Sequence, residues 1–488
     1  MASHTFIFAC LLLLLPLILL HLQRRRQHRT KKPNLPPGPR GLPIIGNLHQ
    51  LGPLPHCAFK TLSDVYGPLM HLHLGQLPTI IASTPDIARA ILKTHDLKFC
   101  SLAPVVAQRR LSYGGLGLVF APYNARWKEV RKLAMVEFFS ATRTQYFKHV
   151  REQEVKVLMS AISRALEPGP VNLSDAFLCL LNNITCREVF GWRASVEGEC
   201  ARSGFHEMVT EGVALLGRFT AGDFFPALER PLNALTGAHA RIERNHHDVD
   251  EFLESELDAH ARNVGMEDDI PLTRDDMKAL LLDLFFSGTY TASVSPVWAM
   301  TELIRCPRAM RRLQRELREG FGEGEEKPMV EESDLERFPY LKQVVKETWR
   351  MHPPGTLLIP RVCAEDCVID GYDVPKGTRA IVNLWAVGRD PKTWDDPDEF
   401  RPERFENSDV DYKGQHFELL PFGAGRRICP AVTVAEVILK LVLANVVRCF
   451  DWELPEGMRM EDVDTGEAFG IVVRKKVPLL LVAKTPSY

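Results

Sequence analysis

Phe422-Gly423-Ala424-Gly425-Arg426-Arg427-Ile428-Cys429-Pro430-Ala431 is the stretch on which the reading of this chain turns. Its two glycines let the backbone turn tightly and leave amide hydrogens free to point at one sulfur. Donors of that kind stabilise a thiolate and tune what it gives to a metal. Phe422 can pack beside the loop, and Arg427, two residues before Cys429, can reach a carboxylate. An apolar helical pattern from Ala431 to Cys449 starts immediately after the sulfur, so the positive end of its dipole also favours the anion. Cys429 is therefore the leading candidate for a metal ligand.

Working outward, Glu347 and Arg350 stand one helical turn apart in Glu347-Thr348-Trp349-Arg350, a spacing that permits a salt bridge. Phe400-Arg401-Pro402-Glu403-Arg404-Phe405 supplies a further arginine, and Trp127, Arg131 and Arg361 lie upstream of the loop. A lone Glu-x-x-Arg carries no weight, because helices are full of them; the ordered set does. The spacing Phe422, Gly425, Arg427, Cys429 resembles the haem-binding signature of the cytochrome P-450 superfamily, whose cysteine thiolate holds the haem iron. The Glu347–Arg350 pair is similar to that family's Glu-x-x-Arg, and Arg404 falls at the arginine that joins it. The family has glycine two residues after the cysteine where this chain has Ala431, a departure of one methyl group.

The resemblance implies a mainly α fold with small β-sheets, the single-domain cytochrome P-450 fold. It implies heme b (iron protoporphyrin IX) as cofactor, with Cys429 as the metal ligand. Trp127, Arg131, Arg361 and Arg427 fall at the donors to the two haem carboxylates, beside Phe422 and Gly425 of the loop. Glu347, Arg350 and Arg404 would form a buried network that sets the register of the haem pocket. In detail, Tyr113-Gly114-Gly115, Asp223-Phe224-Phe225-Pro226 and His352-Pro353-Pro354 look most like plant microsomal (A-type) enzymes of specialised metabolism.

The chain's start reads independently. Thr5 to Leu22 is almost wholly apolar and as a helix spans about 27 Å, close to a bilayer's hydrocarbon thickness. Arg24, Arg25, Arg26, Arg29, Lys31 and Lys32 follow it, which places the rest of the chain in the cytosol. The absence of a basic region before the apolar run and of a small-residue cleavage site argues against a removed signal peptide. Residues 1–22 are thus read as an N-terminal transmembrane anchor, 23–45 as a basic, Pro-rich hinge and 46–488 as the haem-thiolate catalytic domain, with the endoplasmic reticulum membrane as the expected site. A net charge of −2 excludes a global field for nucleic acid, and 45% hydrophobic residues suffice for a large core. Eleven scattered cysteines form no disulfide framework, and Cys363 with Cys367 lacks the second pair a zinc site needs.

The longest helical pattern runs from about Arg274 to Ile304, and Ser287-Gly288-Thr289-Tyr290-Thr291-Ala292 interrupts its apolar centre. The family carries an acid-threonine pair there. By that resemblance Gly288 opens the helix for dioxygen and Thr291 is the catalytic hydroxyl, while Tyr290 replaces the acid. Oxygen cleavage needs protons: a carboxylate with pKa near ~4 relays them at neutral pH, and a phenol near ~10 relays poorly. One expectation is hydroxylation, with a proton route through Thr289, Thr291 and water. The alternative is oxidative coupling, ring formation or expansion, or rearrangement without net oxygen insertion; a non-catalytic haem-binding relative is a third reading. Pro296 is expected to kink this helix.

By resemblance the substrate pocket is lined by Tyr113, Phe120, Phe286, Tyr290, Thr356, Leu357, Phe469 and Ile471, a mostly apolar set suited to a lipophilic molecule. No Gly-x-Gly-x-x-Gly follows a strand, so electrons must come from outside. The implied partner is a membrane-bound NADPH-cytochrome P-450 reductase, with NADPH consumed through it. Lys128, Arg131, Lys132, Arg426 and Lys440 are candidates for a basic docking face.

Overall fold

The computed structural model describes residues 33–486, apart from 165–168, 195–203, 218, 265–271 and 322–326. The expected anchor over 1–22 and the basic part of the hinge lie outside the described residues. Among the described residues no helix is long and apolar enough to cross a membrane.

The longer helices are α1 (Pro55–Tyr66), α2 (Ala125–Glu137), α3 (Lys148–Arg164), α4 (Leu173–Val189), α5 (Gly204–Leu216), α6 (Ala238–Val264), α7 (Arg274–Arg305), α8 (Pro307–Glu319), α9 (Pro339–Met351) and α10 (Val432–Cys449). The centre of the molecule is α7. Its start is fixed by a capping box in which Thr273 accepts from the Asp276 amide and Asp276 accepts from that of Thr273. Asp275 and Asp276 in its first turn and Arg305 in its last complement the dipole, and Pro307 opens the next helix. The helix runs through Pro296 without ending, and that residue is buried among flanking helices. It packs along α4 and against α9 and α10, and the largest apolar core joins α3, α4, α7, α8, α9 and α10.

A five-stranded sheet lies beside this helical body. Its strands are β1 (Leu69–Leu74), β2 (Leu77–Ala82), β3 (Ser101–Leu102), β5 (Arg361–Val362) and β8 (Arg379–Val382), in the order β1-β2-β8-β5-β3, where β4 is Val171–Asn172, β6 Cys367–Ile369 and β7 Tyr372–Val374. The β1–β2 hairpin is antiparallel and β2 pairs β8 in parallel, Thr79 opposite Arg379. The stretch Pro85–Thr94 is α-helical to Arg89 and widens to a π turn from Ala90.

At the end of the chain β10 (Glu467–Ala468) pairs with β11 (Arg474–Lys475), while β12 (Leu480–Lys484) pairs with β4 and with β9 (Asp451–Glu453). Pro478 separates the two ladders and brings no amide donor to either. Residues 469–473 thereby become the tip of a hairpin.

Candidate functional site

The cysteine loop is closed by a hydrogen bond from the Cys429 amide to the Phe422 carbonyl, 3.0 Å. Gly423 and Gly425 both take positive φ, and a Cβ on Gly425 would run into the Leu92 carbonyl and the Asp96 carboxylate. Phe422 is held edge-on by Trp349 (4.9 Å between centroids) and Tyr412 (5.9 Å). Trp349 in turn donates to Ser295 of α7 at 3.1 Å, which ties the loop to the central helix. Cys429 is accessible yet enclosed by protein. Burial pushes its thiol up, and the Ala431 amide and the Arg131 guanidinium pull it down.

Cations gather around this loop. The Asn124 cap accepts from the Trp127 amide (2.8 Å) and starts α2, which carries Trp127 and Arg131. Arg131 donates to the Ile428 carbonyl at 2.7 Å. Arg427 lies over the Trp127 ring (4.2 Å) and donates to the carbonyls of Cys100, Val119 and Ala121. Arg361 is buried on β5, 3.5 Å from Asp96, and Arg426 reaches the other oxygen of that carboxylate at 2.6 Å. Burial, then the neighbouring Arg361 charge, lowers Arg427 to about 10. Among the described residues Asp96 is the one carboxylate paired with this group. The cluster therefore holds more buried positive charge than the protein neutralises, which suits a dianionic ligand seated against Cys429. The Trp127 indole N–H donates to the Leu118 carbonyl at 2.9 Å, and its ring lies under Arg427.

Glu347, Arg350 and Arg404 come together. Glu347 and Arg350 are fully buried and paired twice, at 2.7 and 2.8 Å, and Arg404 reaches Glu347 at 3.0 Å. The remaining Arg350 donors take the carbonyls of Gly388, Pro397 and Glu399, and the Arg401 amide takes Glu347. The irregular segment from Gly388 to Arg404 is thus pinned to α9.

On α7, Ser287 and Thr291 are accessible in the middle of an otherwise buried helix, one turn apart on the face i, i+4. Thr291 donates its hydroxyl to the Ser287 carbonyl. Thr289 is turned away: it is fully buried and 3.3 Å from Thr185 of α4, so the expected proton route through Thr289 does not form. Gly288 meets nothing nearer than Thr185, at 3.8 Å from where a Cβ would stand. Tyr290 packs with Phe286, Phe120 and Ile471 on one side and with Val294, Trp298 and Val472 on the other. Its hydroxyl has no hydrogen-bond partner among the described residues.

Of the expected pocket residues, Phe120, Phe286, Tyr290 and Ile471 share one cluster, with Tyr113 at its border. Tyr113 has positive φ, and its hydroxyl donates to Asp250 of α6 at 2.9 Å. Leu357 packs into a different core, near Phe224, while the Thr356 carbonyl accepts from Leu384. Phe469 stacks on His56 at 6.1 Å. Lys128, Lys132 and Arg426 are exposed beside the loop, but Lys440 is buried and paired with Glu436 (2.6 Å) and Glu336 (3.1 Å), which removes it from the docking face.

Sequence reading missed Asp283. It accepts from the amides of Leu118 (2.6 Å) and Val119 (2.8 Å), and Gly117 leaves the room it needs. Burial pushes its carboxyl up to about 7, against the pull of those amides. An acid inside Leu280-Leu281-Leu282-Asp283-Leu284-Phe285-Phe286 was the available signal.

An enclosed thiol in a glycine loop, an unneutralised arginine cluster and accessible hydroxyls on α7 are features that a haem-thiolate site would need. A family model described as Cytochrome P450 matches residues 36–482, and the chain belongs to that family. It is an enzyme of the monooxygenase type. It is 44% identical to cytochrome P450 71A9 of Glycine max over 99% of both chains. It is 43% identical to cytochrome P450 71B34 of Arabidopsis thaliana over 95% of this chain and 94% of that one. Cytochrome P450 71AP13 of Prunus mume is 41% identical, over 99% and 96%. A solved zebrafish cytochrome P450 with abiraterone shares the fold at a TM-score of 0.74 and 25% identity, covering 90% of this chain and all of that one.

Proposed function

We propose that the enzyme hydroxylates a lipophilic plant specialised metabolite, using O2 and electrons passed from NADPH by a cytochrome P-450 reductase in the endoplasmic reticulum membrane. The observation that carries this is the enclosed Cys429 beside the surplus charge of Arg131, Arg361 and Arg427. Haem, when bound, supplies the dioxygen chemistry. Cys429 would hold its iron, and the three arginines would receive its carboxylates. The Ala431 amide and Arg131 favour the thiolate, against the rise that burial imposes. Thr291 offers the one side-chain hydroxyl of the interrupted stretch that faces the same space as Ser287. Phe120, Phe286, Tyr290 and Ile471 would orient an apolar substrate and exclude water.

Co-expression with a plant reductase in microsomes, with extracts screened by mass spectrometry, tests this reading. Hydroxylation gives a product heavier by one oxygen atom. A second reading, coupling or rearrangement without oxygen insertion, is favoured by Tyr290 standing where the family carries an acid; loss of two hydrogens or an unchanged mass would support it. NADPH consumption with no product from any extract would count against both. Docking of the reductase on the exposed Lys128 and Lys132 predicts that reversing both charges weakens reductase affinity several-fold and more at low salt. Unchanged turnover against reductase concentration would remove that face.

A further inference from the structure

A buried group of titratable side chains lies away from the cysteine loop, at the base of the β10–β11 hairpin. Glu467 of β10 is 2.5 Å from His56 Nε2 of α1, and its other oxygen is 4.0 Å from His352 Nδ1, just beyond α9. His352 Nε2 meets Glu302 of α7 at 2.9 Å, and its ring stacks flat on Trp298 at 4.0 Å. The His56 carbonyl is held by Asn383 at 2.8 Å. Burial alone would push the Glu467 carboxyl up; the hydrogen bond from His56, with His352 and Arg389 close by, brings it below the usual range. It is an ionised, gripped carboxylate.

The same hairpin carries Phe469 to Val473 at its tip. Only Glu467–Lys475 and Ala468–Arg474 pair across it, so its own ladder does not fix the tip. The position is set by neighbours. Phe469 stacks on His56, the Val473 amide donates to the Pro354 carbonyl at 2.8 Å, and Gly217 lies so close that a Cβ would strike the Ile471 backbone. Ile471 and Val472 pack on Tyr290, Val294 and Trp298, which recur every four residues along α7. Glu302 is the next member of that row. One ridge of α7 thus touches the hairpin tip at one end and the Glu467 clamp at the other.

We infer that Glu467 is a positioning residue for the substrate pocket: hydrogen-bonded to His56 and facing His352, it fixes where Phe469 and Ile471 stand relative to Tyr290, and so sets which molecules the pocket accepts. The inference rests on the reading of this tip as a wall of the substrate site. Glu467→Gln keeps the shape but removes the charge that faces His56 and His352 and one of the two acceptor oxygens.

The test uses the full chain in microsomes and two optical probes, imidazole, which needs little room beyond the iron, and 4-phenylimidazole, whose ring must enter the pocket. Glu467→Gln should keep the reduced carbon monoxide Soret band and its imidazole affinity, while 4-phenylimidazole affinity shifts about tenfold. Equal shifts for the two probes, or none, would overturn the inference. If Glu467→Gln assembles no haem, His56→Gln carries the same comparison with the carboxylate still in place. Loss of haem in both variants also overturns it, in favour of a purely structural role. Failure of the underlying haem reading would show separately, as a wild-type chain with no such band.

Discussion

The two faces of the site are built on opposite principles. On the Cys429 side almost every polar group is partnered and every position is over-determined: the loop amide, the Phe422 ring, Arg427 on three carbonyls and Glu347 with two arginines. On the α7 side the accessible Ser287 and Thr291 lie on a helix that otherwise borders an apolar cluster, and the residue in the acid's place, Tyr290, serves as packing. A thiolate ligand must be held still in a low dielectric, which demands many fixed dipoles. Selection of a lipophilic molecule demands shape instead. The difference teaches that ligation and reaction outcome are set by separate parts of the molecule, which makes them separable by mutation.

The largest expected effect lies on the fixed side. Cys429→Ser should abolish the thiolate-type Soret band of the reduced carbon monoxide complex; a retained band would break the comparison at its first term. Next comes Arg350→Ala, which leaves Glu347 fully buried with Arg404 as its remaining ion-pair partner, a loss of about 3–5 kcal/mol. The measurement is haem content and folded yield, with Arg350→Lys rescuing little, since a single ammonium cannot serve two carboxylate oxygens and three carbonyls at once.

On the other side, Tyr290→Asp restores an acid beside Thr291. Product formed per NADPH oxidised should change by about tenfold or more, with the Soret band untouched. An unchanged ratio would show that Tyr290 does not govern the outcome. The smallest effect concerns Asp283. Its carboxyl is raised from 3.8 to about 7 in the folded state, so the fold binds the proton that the unfolded chain releases. Its contribution therefore becomes less favourable as pH rises through that window. Asp283→Asn should gain thermal midpoint relative to wild type as pH rises across the same range. A pH-independent difference would show that the Leu118 and Val119 amides fully compensate burial.

Much of the fixed side was legible beforehand, because its signals are local: glycine spacing, a cysteine before a helix, and a Glu-x-x-Arg one turn long. The helix Arg274–Arg305 was legible for the same reason, bounded by its cap and prolines. Facing was harder. Thr289 and Thr291 are two residues apart and therefore point to different sides of α7, and only the packing of α4 decides which side is which. Lys440 reads as a docking charge in sequence, but in the fold it is buried and paired with Glu336, over a hundred residues away.

By itself the sequence determined the shape of the Cys429 loop and the Glu347–Arg350 pair, since these express their geometry within a few residues of chain. Only the tertiary structure decided that the last strands split at Pro478, that Trp127 spends its N–H on Leu118, and that His56, His352, Glu302 and Glu467 meet in one buried clamp. Those contacts join segments up to 411 residues apart, and burial, not sequence neighbourhood, pairs their charges.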